Sequence, residues 1–257
     1  MADLEAAPAE LRILPDPDDV ARIAADRTIA VLARGIAQGR TVHLALTGGS
    51  TAVPFFHELT RPERRTRLSW QRVHLWWGDE RLVPLADPQS NAGLAERLLQ
   101  ATAPLVDAAN VHPVPVDEAS DAPDAGPQAA AAYAAEIRRL LPLNADGVPI
   151  FDVIMAGIGP DGHVMSIFPD SPALAADAPI AMSIDAPRHV APHLPRVTLA
   201  ARLLPVARQI IVMANGPGKA EIVRSVLGPE REPRRWPVQS ALLGNALWLI
   251  DREAAGA

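Results

Sequence analysis

The chain reads as an α/β protein with a mostly parallel sheet and helices on both faces. Three observations carry this expectation. Short apolar runs recur along the chain, helical patterns of apolar spacing lie between them, and the runs end in glycine or acidic punctuation. Ligands of such sheets bind beyond the carboxyl ends of the strands. Four polar stretches stand there: "TGGST", "GDER", "GPDGH" and "NGPGK".

Taken in order, residues 1–16 carry acids without an apolar core. They are expected to be a loosely ordered lead and not a signal peptide. A helical pattern covers 18–38, and "TVHLALTGG" (41–49) is the first expected strand with its turn. A helix at 54–60 leads to the strand "RVHLWWGDE" (72–80) and a helix at 91–101. The Pro- and Asp-rich "PVPVDEASDAPDAGPQ" (113–128) reads as a surface loop before a helix at 128–141. "FDVIMAGIG" (151–159) and "RQIIVMANG" (208–216) repeat the strand form, a helix follows at 219–227, and "ALWLID" (246–251) is the last strand. With no internal repeat and no linker composition, residues 1–257 read as one domain.

Composition narrows the function classes. An apolar fraction of 49% and a charged fraction of 21% belong to a globular chain. The absence of cysteine excludes disulfides, thiolate nucleophiles and zinc–thiolate sites, and fits a cytoplasmic location. A net charge of −6 argues against general nucleic-acid binding, and no apolar run approaches the ~20 residues that cross a bilayer. An anionic ligand therefore needs a local cluster of donors.

Gly157, Gly159 and Gly162 spell G-x-G-x-x-G after an apolar run, the fingerprint of a dinucleotide-binding turn. That turn needs a long helix after the third glycine. Here Pro169 and Pro172 follow closely, and no acidic strand end lies ~20 residues on. The glycines are expected to bend the backbone sharply and present His163 at the rim of a cleft, with no nucleotide cofactor. Histidine is the natural base near neutral pH, and Asp161, two residues earlier, can orient its ring.

Companion stretches supply anion donors. "LTGGSTAVP" offers the Gly48–Gly49 turn with the hydroxyls of Thr47, Ser50 and Thr51, but it is not a Walker A loop. "GDER" brings Asp79 and Arg81 to a strand end, with Asn91 opening the next helix. Lys219, the only lysine against 23 arginines, starts a helix after a strand. Ser166 lacks a G-x-S-x-G elbow, so a serine nucleophile is not expected. The His189 and His193 of "HVAPH" stand four apart among prolines, so no metal site is expected either. His43, His57, His74 and His112 are scattered along the sequence and read as structural.

In their shared order, "LTGGST", "GDERLVP" with "SN", "GIGPDGHVMSIFP", "RVTL" and "GKAEIV" resemble the 6-phosphogluconolactonases of the glucosamine-6-phosphate isomerase/6-phosphogluconolactonase family, from about residue 18 to 251. The resemblance implies a modified Rossmann-like α/β fold and hydrolysis of the lactone of the oxidative pentose phosphate pathway, without metal or nucleotide and without an obligate protein partner. It implies that Gly48, Gly49, Ser50, Thr51, Arg81 and Lys219 grip the 6-phosphate. Asp79, Asn91 and Arg196 would line the pocket, and His163 with Asp161 would be the catalytic pair. Asn91 or backbone amides after Gly159 would stabilise the oxyanion. The chain departs from many relatives at Ala52 and at Val164–Met165. The deaminase branch, similar in its Gly-Gly and Asp-Gly-His turns, resembles "DGHIAFNEP", with a glutamate where this chain has Phe168, and Asp-Glu-Tyr where it has Asp79-Glu80-Arg81. These differences favour the lactonase. A catalytically silent sugar-phosphate binder keeps the same binding residues. A regulator carrying this domain would add a helix-turn-helix, for which the residues before the first helix leave no room.

Overall fold

The computed structural model describes residues 9–100, 105–116 and 124–257. Its centre is a six-stranded sheet of β1 (Glu10–Leu14), β2 (Val42–Leu46), β3 (Val73–Trp77), β5 (Val153–Gly157), β8 (Ile210–Ala214) and β9 (Ala246–Asp251), in the order β1-β9-β8-β5-β2-β3. Every neighbouring pair is parallel. A second sheet, β4 (Asp79–Arg81), β7 (Arg196–Leu199) and β6 (Ala181–Ile184), is antiparallel in the order β4-β7-β6. The helices are α1 (Pro17–Ala37), α2 (Ala52–Thr60), α3 (Pro62–Arg65), α4 (Asn91–Ala95), α5 (Ala125–Leu140), α6 (Ala220–Leu227) and α7 (Arg252–Ala255).

Strand periodicity explains the layers. In β8, Ile210, Val212 and Ala214 pack on one face with residues of α5, α6 and α7, while Ile211 and Met213 pack on the other with residues of α1 and α2. Trp248 and Leu249 of β9 divide in the same way. A strand buried on both faces must be apolar at every position, so these runs are continuous and do not alternate. Helix α1 starts where the sequence stops it from starting earlier: Asp16 accepts from the Asp19 amide at 2.8 Å and Pro17 takes the first helical position.

Three expectations need correction. Residues 10–14 are not a loose lead, because they pair with β9 along their whole length. Parallel hydrogen bonding to β9 orders them, although Leu11 and Ile13 stay exposed. The antiparallel sheet was not foreseen beyond the "RVTL" motif, since strands of three or four residues carry too little pattern. His43, His74 and His112 are not scattered. His43 and His74 are register partners on β2 and β3, and His74 Nδ1 lies 2.8 Å from His112 Nε2. They form one aromatic cluster with Trp76, in which His112 stacks on His74 and Trp76 while His43 is tilted against them. Helix α5 begins three residues before the expected 128, residue 101 of the helix expected at 91–101 lies outside the described residues, and so do 117–123 of the expected loop.

Candidate active site

The chain leaves β2 toward β3 on one side, while β5 lies on the other, so the sheet's switch point falls between β2 and β5. That is where α/β sheets open a crevice. A cleft of about 280 Å³ lies there, and it gathers Gly48, Gly49, Ser50, Thr51, Asp79, Arg81, Asn91, His163, Arg196 and Lys219. Asp161 joins them through His163. The structure thus brings together all eleven residues singled out from the sequence.

The turn after β5 is built around the histidine. Gly159 N donates to His163 O at 2.9 Å and Gly162 N to Gly159 O at 3.0 Å, closing a tight loop. Gly162 has φ +81°, and a Cβ on Gly159 would lie 2.0 Å from His163 Nδ1. No helix starts directly after Gly162, the next being a single 3-10 turn at Pro172–Leu174, so the G-x-G-x-x-G stretch presents no helix N-terminus to a pyrophosphate. His163 Nδ1 sits 2.5 Å from Asp161 Oδ1, which also accepts the His163 amide at 3.1 Å. Burial opposes the charge of Asp161. Hydrogen bonds from His163 and His189 outweigh it and hold the carboxyl well below the usual carboxylate range.

Opposite stands the basic wall. Arg81 and Arg196 are register partners on β4 and β7. Arg81 Nη1 donates to Gln89 O at 2.7 Å and Arg196 Nη2 to Pro192 O at 3.1 Å, yet the Nε–H of each is buried with no acceptor among the described residues. Burial lowers the pKa of Arg196, Asp79 works the other way, and Arg81 lowers it further. Two unsatisfied guanidinium donors side by side call for an anion. Lys219 Nζ reaches Ile158 O at 2.6 Å, and burial lowers its pKa against the opposing pull of Asp161. The amides of Gly49, Ser50 and Thr51 donate to no protein acceptor among the described residues, and they lead into α2.

Some residues act differently from their expected roles. Asp79 lines the cleft, but its Oδ2 accepts from Ser166 Oγ at 2.6 Å and lies 4.0 Å from Arg196 Nη1. It braces the arginine more than it offers a free carboxylate. Ser166 is fully buried in that contact. Asn91 gives its Nδ2 to Asp79 O at 2.9 Å, and its Oδ1 sits where any side chain at Gly48 would go. Of the amides after Gly159, Pro160 has none and those of Gly162 and His163 close the turn, which leaves the Asp161 amide as the one without an acceptor among the described residues. Glu80 is buried and accepts from the amides of Arg81, Asn91 and Ala92 and from Ser90 Oγ, fixing the start of α4. Desolvation raises its pKa despite those bonds.

Sequence reasoning missed His189. Its Nε2 lies 2.8 Å from Asp161 Oδ2 on the rim of the cleft. The only signal was its presence among prolines, where it was weighed as a metal ligand alone. Among the described residues no group of three or more His, Asp or Glu side chains is placed to hold a metal ion, and no helix is long and apolar enough to cross a membrane.

The family model for glucosamine-6-phosphate isomerases/6-phosphogluconolactonase matches residues 15–248. A 6-phosphogluconolactonase of Mycobacterium tuberculosis is 33% identical over 96% of this chain and 97% of its own length. One from Streptomyces coelicolor is 33% identical over 96% and 93%. Among solved structures, the 6-phosphogluconolactonase from Trypanosoma brucei superposes with a TM-score of 0.86 at 24% identity, over 98% of this chain and 99% of that one, a likeness of fold.

Proposed function

The chain belongs to the glucosamine-6-phosphate isomerase/6-phosphogluconolactonase family, and from that premise we propose that it hydrolyses 6-phospho-D-glucono-1,5-lactone to 6-phosphogluconate, with His163 as general base. One observation carries the reading. A carboxylate-held histidine shares its cleft with two arginines whose buried Nε–H groups lack acceptors among the described residues. An uncharged ester with a remote anion suits that pairing.

Asp161 keeps the ring proton on Nδ1, and Nε2 has no protein partner among the described residues. A water between Nε2 and the lactone carbonyl gives its proton to Nε2 as its oxygen bonds to C1. The tetrahedral anion then collapses, the bond from C1 to the ring oxygen breaks, and His163 returns the proton to that oxygen. Such base catalysis supplies about 10²–10⁴-fold. Arg81, Lys219 and the Gly49–Thr51 amides hold the phosphate. Binding energy from this end orients the carbonyl at the other.

The deaminase reading has no carboxylate to work with at the corresponding position. Phe168 is buried there, edge-on to His163 at 4.9 Å and beneath Arg196 at 5.5 Å. The site draws on segments from Thr47 to Lys219, which supports treating the chain as one functional domain, and we place it in the cytoplasm on its lack of cysteine. The test is acid release from the lactone in unbuffered medium, corrected for spontaneous opening, beside ammonia release from glucosamine 6-phosphate. Enzyme-dependent acid without ammonia is expected. Ammonia at a comparable rate, or no acid above background, overturns the reading.

A further inference from the structure

We propose that His189 is a positioning residue for the base: by donating Nε2–H to Asp161 Oδ2, it fixes the carboxylate that holds His163 in its working tautomer. The proposal rests on the hydrolase reading above. A carboxylate can turn about its last bond, and Asp161 is pinned at both oxygens. Oδ1 takes the amide and Nδ1–H of His163, and Oδ2 has His189 as its hydrogen-bond partner. Without His189 the plane of the carboxylate is free to rotate, and the 2.5 Å bond to Nδ1 loses its alignment. The other charged group acting on Asp161 is Lys219, whose Nζ is bonded to Ile158 O and does not restrain that plane.

The route by which His189 reaches the site adds a second reason. It stands in the loop between β6 and β7, and that loop is held by Arg196 Nη2 on Pro192 O and by buried Val190. The same arginine presents its unpaired Nε–H within the cleft wall. The anion grip and the support of the base therefore share one segment of chain. The His189 side chain is 59% exposed, so its loss removes little packing.

The experiment compares wild type, His163→Ala, His189→Ala and His189→Gln in lactone hydrolysis, with thermal melting of each. His189→Ala should lower kcat about 10-fold, less than the ~100-fold cost of moving a reacting group by 1 Å, with KM and melting temperature nearly unchanged. His189→Gln retains an N–H donor of similar reach and should recover kcat to within about 3-fold of wild type. Unchanged kcat in His189→Ala, a glutamine variant as slow as alanine, or a loss expressed in KM and melting instead overturns the proposal. The controls separate the two readings. An inactive wild type overturns the hydrolase reading and surviving activity in His163→Ala overturns its base. Loss in His163→Ala with none in His189→Ala overturns only the positioning role.

Discussion

The three glycines after β5 should respond differently to alanine, and the middle one reports on the mechanism. A Cβ at Gly159 would sit 2.0 Å from His163 Nδ1, 2.1 Å from Cε1 and 2.5 Å from Cγ. Normal contact begins near 3.5 Å, so the ring must retreat by roughly 1.5 Å. A retreat of that size breaks the 2.5 Å bond to Asp161 and moves Nε2 off the water. Misplacement by about 1 Å costs ~10²-fold, so Gly159→Ala should lose at least about 100-fold in kcat. Product affinity, which we assign to Arg81, Lys219 and the Gly49–Thr51 amides, should stay near wild type. A Cβ at Gly157 would meet only Met213 O at 3.9 Å, an ordinary contact, so Gly157→Ala should remain within about 3-fold of wild-type kcat. Gly162 differs again. Its φ of +81° and the Trp236 ring atom 2.9 Å from a Cβ put the penalty of Gly162→Ala in folding, at about 1–2 kcal/mol or more. Steady-state kinetics, calorimetric titration with 6-phosphogluconate and thermal melting separate these effects. Wild-type kcat in Gly159→Ala, or equal losses in Gly157→Ala and Gly159→Ala, would refute the view that the motif shapes a histidine turn.

Lys219→Met should raise KM and weaken 6-phosphogluconate binding together. Losing one charge-assisted contact is worth about 1.5–3 kcal/mol, or roughly 10- to 150-fold, and unchanged affinity by titration would remove Lys219 from the grip. Burial, reinforced by His74, His112 and Arg40, pushes His43 down to about 3, so the folded chain declines a proton that the unfolded chain accepts near pH 6.5. Stability should fall with pH through that window, by about 1.4 kcal/mol per unit for this proton. His43→Gln keeps an acceptor for Trp76 without titrating and should lose about 1–2 kcal/mol less than wild type between pH 7 and 5; parallel urea midpoints would contradict this. Glu80→Gln replaces an oxygen that faces amide donors with an NH₂ group and should cost about 1–3 kcal/mol, read as a lower melting temperature, whereas an unchanged midpoint would deny Glu80 its bracing role.

The five long strands and their helices were legible because both faces of the sheet are covered, which forces continuous apolar runs with turn chemistry at the ends. The site was legible for a related reason. Its residues cluster at strand ends, where "GGST", "DER", "DGH" and "GK" interrupt apolar sequence. The division of labour among them was not legible. Whether a carboxylate faces ligand or neighbour depends on contacts such as Ser166 on Asp79, distant in sequence. His189 is the sharpest case, because its partner is 28 positions away and its own surroundings carry no period. The pairing of His43, His74 and His112 needed the register of β2 and β3, which apolar pattern alone does not set.

The position of β1 bears on how the chain is made. Strand β1 precedes the other described strands in the chain, yet its one neighbour in the sheet is β9, which follows them all. Helix α1, which follows β1, packs on β9 as well. Synthesis therefore delivers β2, β3, β5 and β8 before β1 has its strand partner, although α1 can already pack on α2 and β2, and long-range closure of this kind slows folding. Strand β1 can join the sheet only once β9 has been made, so the edge it forms closes across almost the whole sequence between them.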